Sequence, residues 1–136
     1  MSETTERALR PGDLAIRCGA VGSLVLVRLR GALDLATAGE LAEVLATQLR
    51  TGRDIVLDCT GLDFMAVVGM SLMIDTHRAA HVRKQKLIVV TGGNRAVLRP
   101  LRVARVDVML RLAGTIDDAC AQLGYAGGGL ALGASG

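Results

Sequence analysis

Ile55-Val56-Leu57-Asp58-Cys59 is the stretch on which the fold turns. It is apolar but for Asp58, too short for a helix, and shows no alternation of polar and apolar residues. That is the pattern of a strand covered on both faces, as in a parallel sheet whose crossovers are helices. Helical patterns flank it as this requires. Before it, Ala38, Leu41, Ala42, Leu45 and Leu49 recur at helical spacing until Gly52 stops the run. Thr37, with Glu40 three residues on, predicts a capping box. After it, Gly61–Met65 reads as an apolar-rich loop, and a helix is expected over 67–82 with Met70, Ile74, His77 and His81 along one stripe. Leu87–Thr91 then repeats the buried-strand pattern.

Further out, Leu14–Cys18 alternates, Gly19–Ser23 reads as a turn, and Leu24–Leu29 is a second β-rich run that Gly31 ends. These two runs predict a hairpin. Gly92-Gly93-Asn94 turns into a third helical stretch, which Pro100 should kink or split. Val106–Leu110 is the expected last strand. Thr115 caps a final helix through Leu123, with Asp117 and Asp118 at its positive end. The order of elements predicts one α/β domain over residues 13–124 with a mixed β-sheet. A flexible segment (residues 1–12) and a Gly-rich, disordered tail (125–136) are expected on either side.

Composition narrows the function classes. With 136 residues there is room for one domain. Aromatic residues make up 1% of the chain, which leaves few faces on which bases could stack, and the net charge of +3 is too mild to demand a polyanion. Nucleic acid is therefore not an expected partner. Met1–Pro11 lacks the apolar core of a signal peptide, and the apolar runs are broken by Arg28, Asp58 or Asp75. No membrane span and a cytoplasmic location are expected. Cys18, Cys59 and Cys120 are odd in number and unrelated in spacing, which reads as reduced thiols.

The chemical candidates are thin. His77 and His81 have the four-residue spacing that holds zinc, but no Glu follows His77 and no third ligand is evident. Half-buried structural histidines are the better reading, and no metal is expected. Gly92-Gly93-Asn94 could seat a phosphate, but without a following Lys-Ser/Thr it is better read as an ordinary turn. Asp58 and Asp63 flank a tight segment with no nucleophile, base or cofactor motif beside them, so neither catalysis nor a cofactor is expected. From Arg78 to Val106 there is no Asp or Glu, while Arg78, Arg83, Lys84, Lys86, Arg95, Arg99, Arg102 and Arg105 all fall there. A solvated helix face outweighs the alternative, a contact surface for an acidic partner or for lipid headgroups.

Gly31-Ala32-Leu33-Asp34-Leu35-Ala36-Thr37-Ala38 resembles the Gly-x-Leu-Asp…Thr-Ala signature of STAS domains, the fold of bacterial anti-sigma factor antagonists. Ile55–Met65 resembles the family's central strand and following loop, and Leu87–Val90 with Ala96–Arg99 its later strand and helix. The resemblance spans Leu14 to Gly124. It implies helices packed mainly on one face of the sheet. It also implies a binding protein whose partner is a kinase-like, ATPase-fold anti-sigma factor, gripped so that a sigma factor is released; a homodimer is left open. The implied partner-binding residues are Asp34, Thr37, Met65, Ala66, Val67, Val68 and Gly69. One departure stands out: where regulated antagonists carry Asp-Ser-Ser-Gly, this chain has Ala66-Val67-Val68-Gly69. The phosphoacceptor serine is thus Val68, which has no hydroxyl. Ser71, the nearest hydroxyl, lies inside the expected helix. Met65–Val68 becomes an apolar tip that either packs inward or serves as an exposed docking patch. Two other readings stand beside this one: a STAS subunit of a lipid-transport ABC ATPase, and a small-ligand or nucleotide-binding module using the Gly92-Gly93 turn.

Overall fold

Ile55–Cys59 lies at the centre of a five-stranded sheet. The computed structural model describes residues 9–125; residues 1–8 and the Gly-rich tail from 126 onward lie outside the described residues. In chain order the elements are β1 (Leu14–Val21), β2 (Leu24–Leu33), α1 (Ala38–Thr51), β3 (Asp54–Met65), α2 (Val67–Val82), β4 (Leu87–Val90), α3 (Arg95–Val103), β5 (Arg111–Ala113) and α4 (Ile116–Gln122). Spatial order follows sequence order, β1-β2-β3-β4-β5. β1 and β2 form the antiparallel hairpin, and β2 to β5 run parallel.

The continuous apolar strands sort by the two-residue period into two cores. Val25, Val27, Leu29, Ile55, Leu57, Cys59, Leu87 and Val89 face Leu41 and Leu45 of α1, Met70 and Met73 of α2, and Val97 and Leu101 of α3. Leu24, Leu26, Val56, Ile88 and Val90 face Ala119 and Cys120 of α4. Three helices cover one face and a short fourth covers part of the other. No described helix is long and apolar enough to cross a membrane.

Helix ends follow their cap chemistry. Gly52 takes the left-handed conformation (φ 80°) that closes α1. Thr115 Oγ1 accepts the Asp118 N–H at the start of α4, and Asn94 Oδ1 accepts the Ala96 N–H at the start of α3. α2 spans the expected range, but its stripe is rotated. Met70, Met73, Thr76 and Ala80 are buried, while Ile74 and His77 are half-buried and His81 is exposed. Thr76 can occupy the buried line because its hydroxyl donates to the Leu72 carbonyl, 2.8 Å away.

Several boundaries differ from the sequence expectation. β1 continues to Val21, and the hairpin turn contracts to Gly22-Ser23. Gly31 does not end β2: at φ +106° it carries the strand past a close approach to the Asp13 carbonyl, where a Cβ would collide. β2 then reaches Leu33, and its continuation gives Gly61–Met65 a pairing partner. The expected loop is therefore the second half of β3, reached through register shifts at Arg28/Arg30 and Gly31/Ala32. α3 is a single helix of nine residues across Pro100. The last strand is Arg111–Ala113. Val106 and Asp107, expected within it, instead donate their N–H groups to the Leu101 carbonyl, closing a turn after α3.

Candidate functional site

The extra length of β2 and β3 brings their carboxyl ends side by side. The last ladder pair is Leu33 with Met65. Just beyond it the Ala66 N–H donates to the Leu33 carbonyl at 2.9 Å, tying the start of α2 to the end of β2. Gly69 completes the junction: a Cβ there would lie 2.8 Å from Leu33 Cδ2, so the first turn of α2 rests directly on that leucine.

Asp34 opens the turn after β2. Its Oδ1 accepts the N–H groups of Ala36 (2.9 Å) and Thr37 (3.2 Å), an Asx turn that fixes the backbone leading into α1. Thr37 stands at the N-cap position, but the capping box with Glu40 does not form. Its hydroxyl turns back to donate to the Ala32 carbonyl (2.8 Å) and to accept the Asp34 N–H (3.0 Å). A hydroxyl turned back onto Ala32 and Asp34 points away from the first turn of the helix. Asp34 and Thr37 thus lock one another.

The residues at the start of α2 divide by exposure. Met65 and Gly69 are buried, Ala66 and Val68 are half-buried, and Val67 is 71% exposed. Val68 packs against the main core, so the outward apolar residue of this tip is Val67. Leu35, two residues past Leu33 as Val67 is two past Met65, is 84% exposed. Phe64, the one phenylalanine of the chain, is 52% exposed. Leu35 and Phe64 were not among the sequence candidates. The signal for Leu35 was its place inside an Asp-x-x-Thr turn, where an apolar side chain has no core to face. Ala66 offers no side-chain cap, and the first turn of α2 carries no acidic residue. The edge is a locked polar turn beside an apolar, uncapped helix start.

The remaining candidates resolve into structural roles. Asp58 is buried: its Oδ1 accepts from the Thr60 N–H (3.0 Å) and hydroxyl (2.8 Å), and Oδ2 pairs with Arg28 Nε at 3.3 Å. Burial, with the Asp58 charge adding to it, pushes the Cys59 thiol well above its usual range, so it packs as an inert apolar side chain. Asn94 in the Gly92-Gly93-Asn94 turn donates to the carbonyls of Cys59 (3.0 Å) and Leu62 (2.7 Å), binding α3 to the bulged part of β3. His77 Nδ1 is buried without a partner among the described residues. Burial and then the charges of Arg111, His81 and Arg78 hold His77 below the usual imidazole range. Among the described residues no three His, Cys, Asp or Glu side chains gather into a metal-binding cluster.

A mixed sheet in the order β1 to β5, with three helices on one face and a short fourth on the other, defines an α/β domain of the STAS architecture. The sequence profile described as the Mlab, STAS domain matches residues 16–113, and the chain belongs to this family. No curated protein sequence matches it. Solved structures share the fold. An anti-sigma factor antagonist from Mycobacterium paratuberculosis superposes with a TM-score of 0.76 at 22% identity, covering 83% of this chain and 96% of the other. The phosphorylated form of the Bacillus cell fate determinant SpoIIAA gives 0.62 at 19% identity, covering 80% and 99%. At these identities the likeness is one of fold.

Proposed function

We propose that this STAS domain is a regulatory binding module of the anti-sigma factor antagonist kind. It grips an ATPase-fold anti-sigma factor at the edge formed by the Asp34 turn and the start of α2, and thereby frees a sigma factor. The observation that carries this reading is the pairing of a rigid Asx turn with exposed Leu35 and Val67 beyond the last ladder pair. Asp34, with Thr37 behind it, sets orientation. Leu35 and Val67 lose water on docking, each contributing up to about 2 kcal/mol if fully covered. Met65, Val68 and Gly69 shape the edge from beneath. No hydroxyl stands at position 68, so partner binding is not switched by phosphorylation there, and the module is constitutively competent to bind.

The experiment is affinity capture from the native cytosol with mass spectrometry. Recovery of an ATPase-fold anti-sigma factor supports the reading. Recovery of the ATPase of a lipid-transport ABC system, or of a bound nucleotide and no protein, contradicts it.

A further inference from the structure

α3 has two faces of opposite character. Val97 and Leu101 are buried in the main core, whereas Arg95, Arg99 and Arg102 stand exposed on the other side. With Gly93, Leu98 and Val103 these three arginines line an open groove of about 550 Å³. None of the three is paired among the described residues, where the one ion pair is Arg28 with Asp58. No carboxylate offsets them within Arg78–Val106, and Asp107 just beyond is half-buried.

The helix end adds a second, independent feature. Val103 is 78% exposed, and in the turn that follows Val108 is 81% and Met109 42% exposed. The turn is held in place by the Val106 and Asp107 N–H groups on the Leu101 carbonyl, and Arg105 within it adopts φ +59°. Val103 thus shares the groove with the three arginines, and Val108 and Met109 are displayed on the ordered turn that follows, which carries a fourth arginine, Arg105.

We propose that α3 and the turn after it form a docking surface for an anionic phospholipid bilayer. Guanidinium forks pair with headgroup phosphates. Val103, Val108 and Met109 enter the boundary between headgroups and acyl chains, which removes their surface from water. A soluble phosphate would engage the arginines and leave those three side chains hydrated, so it accounts for half of the surface. The surface uses none of the residues of the partner edge, and its test is separate from that of the proposed function.

The test is flotation of the full-length protein with vesicles. It should bind vesicles of mixed phosphatidylcholine and phosphatidylglycerol and not vesicles of phosphatidylcholine alone. Each arginine at an anionic surface is worth roughly fivefold in partitioning, so Arg95→Ser/Arg99→Ser/Arg102→Ser should weaken binding about a hundredfold. Val108→Asp should weaken it with the arginines intact. These positions are exposed apart from the core, and unchanged melting temperatures establish that the variants fold. Absence of binding to the mixed vesicles, equal binding to both vesicle types, or undiminished binding by the triple variant overturns the proposal. So does tighter binding to polyglutamate than to the mixed vesicles, which would assign the surface to an acidic protein.

Discussion

Replacing Asn94 should damage the domain well beyond the loss of a helix cap. Its Oδ1 caps α3 through the Ala96 N–H, a contact worth about 1 kcal/mol. Its Nδ2 meets the Cys59 and Leu62 carbonyls at 3.0 and 2.7 Å, in the segment that carries β3 out to its last ladder pair at Met65. Each lost bond costs about 0.5–1.5 kcal/mol, more where the carbonyl is left dry. Asn94→Ala should therefore destabilise by about 2–4 kcal/mol, lowering the urea midpoint by roughly 1–3 M. Asn94→Asp separates the two roles. It keeps the cap acceptor and adds a charge that the helix N-terminus favours by about 0.3–1 kcal/mol, but it cannot donate and sets a carboxylate against two carbonyls. It should be at least as destabilised as the alanine variant. Urea unfolding followed by circular dichroism decides the matter. An aspartate variant within about 0.5 kcal/mol of wild type would show that the cap alone matters and refute the anchoring role.

Other outcomes follow from the same contacts. Gly31→Ala should cost at least about 2 kcal/mol in denaturant unfolding, because its φ of +106° and the adjacent Asp13 carbonyl leave no place for a Cβ. His77 is held below the usual imidazole value, so the unfolded chain binds its proton more readily. Stability should be full above about pH 7, fall as pH drops through about 6.5, and stop falling below the folded-state value; melting temperatures of wild type and His77→Gln should diverge in that window, and parallel curves would contradict this. Incubation with an anti-sigma kinase and ATP should leave Asp63–Met73 unmodified, and a phosphopeptide through Ser71 in mass spectra would contradict that expectation.

The parts of the fold that were legible in the sequence are those set by local periodicity. Ile55–Cys59, the α1 pattern closed by Gly52 and the Thr115 cap each signal within a few residues. What escaped is set by partners distant in the chain. The alternation of Gly61–Phe64 is short and is broken at Phe64-Met65, so the outer half of β3 is identifiable only once β2 passes Gly31 and Asn94 grips its carbonyls from some thirty residues away. Pro100 was expected to kink or split the third helix; α3 is not split there, with Val97 and Leu101 anchored in the core on either side. At the candidate edge, Asp34 and the start of α2 were singled out by the family resemblance. Which of Met65, Val67 and Val68 faces outward depends on the α2 phase, and that phase follows from the contact of Gly69 with Leu33.

The central claim is that the Asp34 turn and the start of α2 grip the partner. Isothermal titration of the captured ATPase-fold protein with wild type and Val67→Asp tests it most directly. Val67 opens α2 and is exposed, so a carboxylate there is locally favourable to the helix and the fold should be retained in a thermal melt. In the complex it would be a desolvated charge in an apolar contact, and affinity should fall by at least about 2 kcal/mol, roughly thirtyfold. Unchanged affinity for a folded Val67→Asp protein would contradict the account and place the partner elsewhere on the domain.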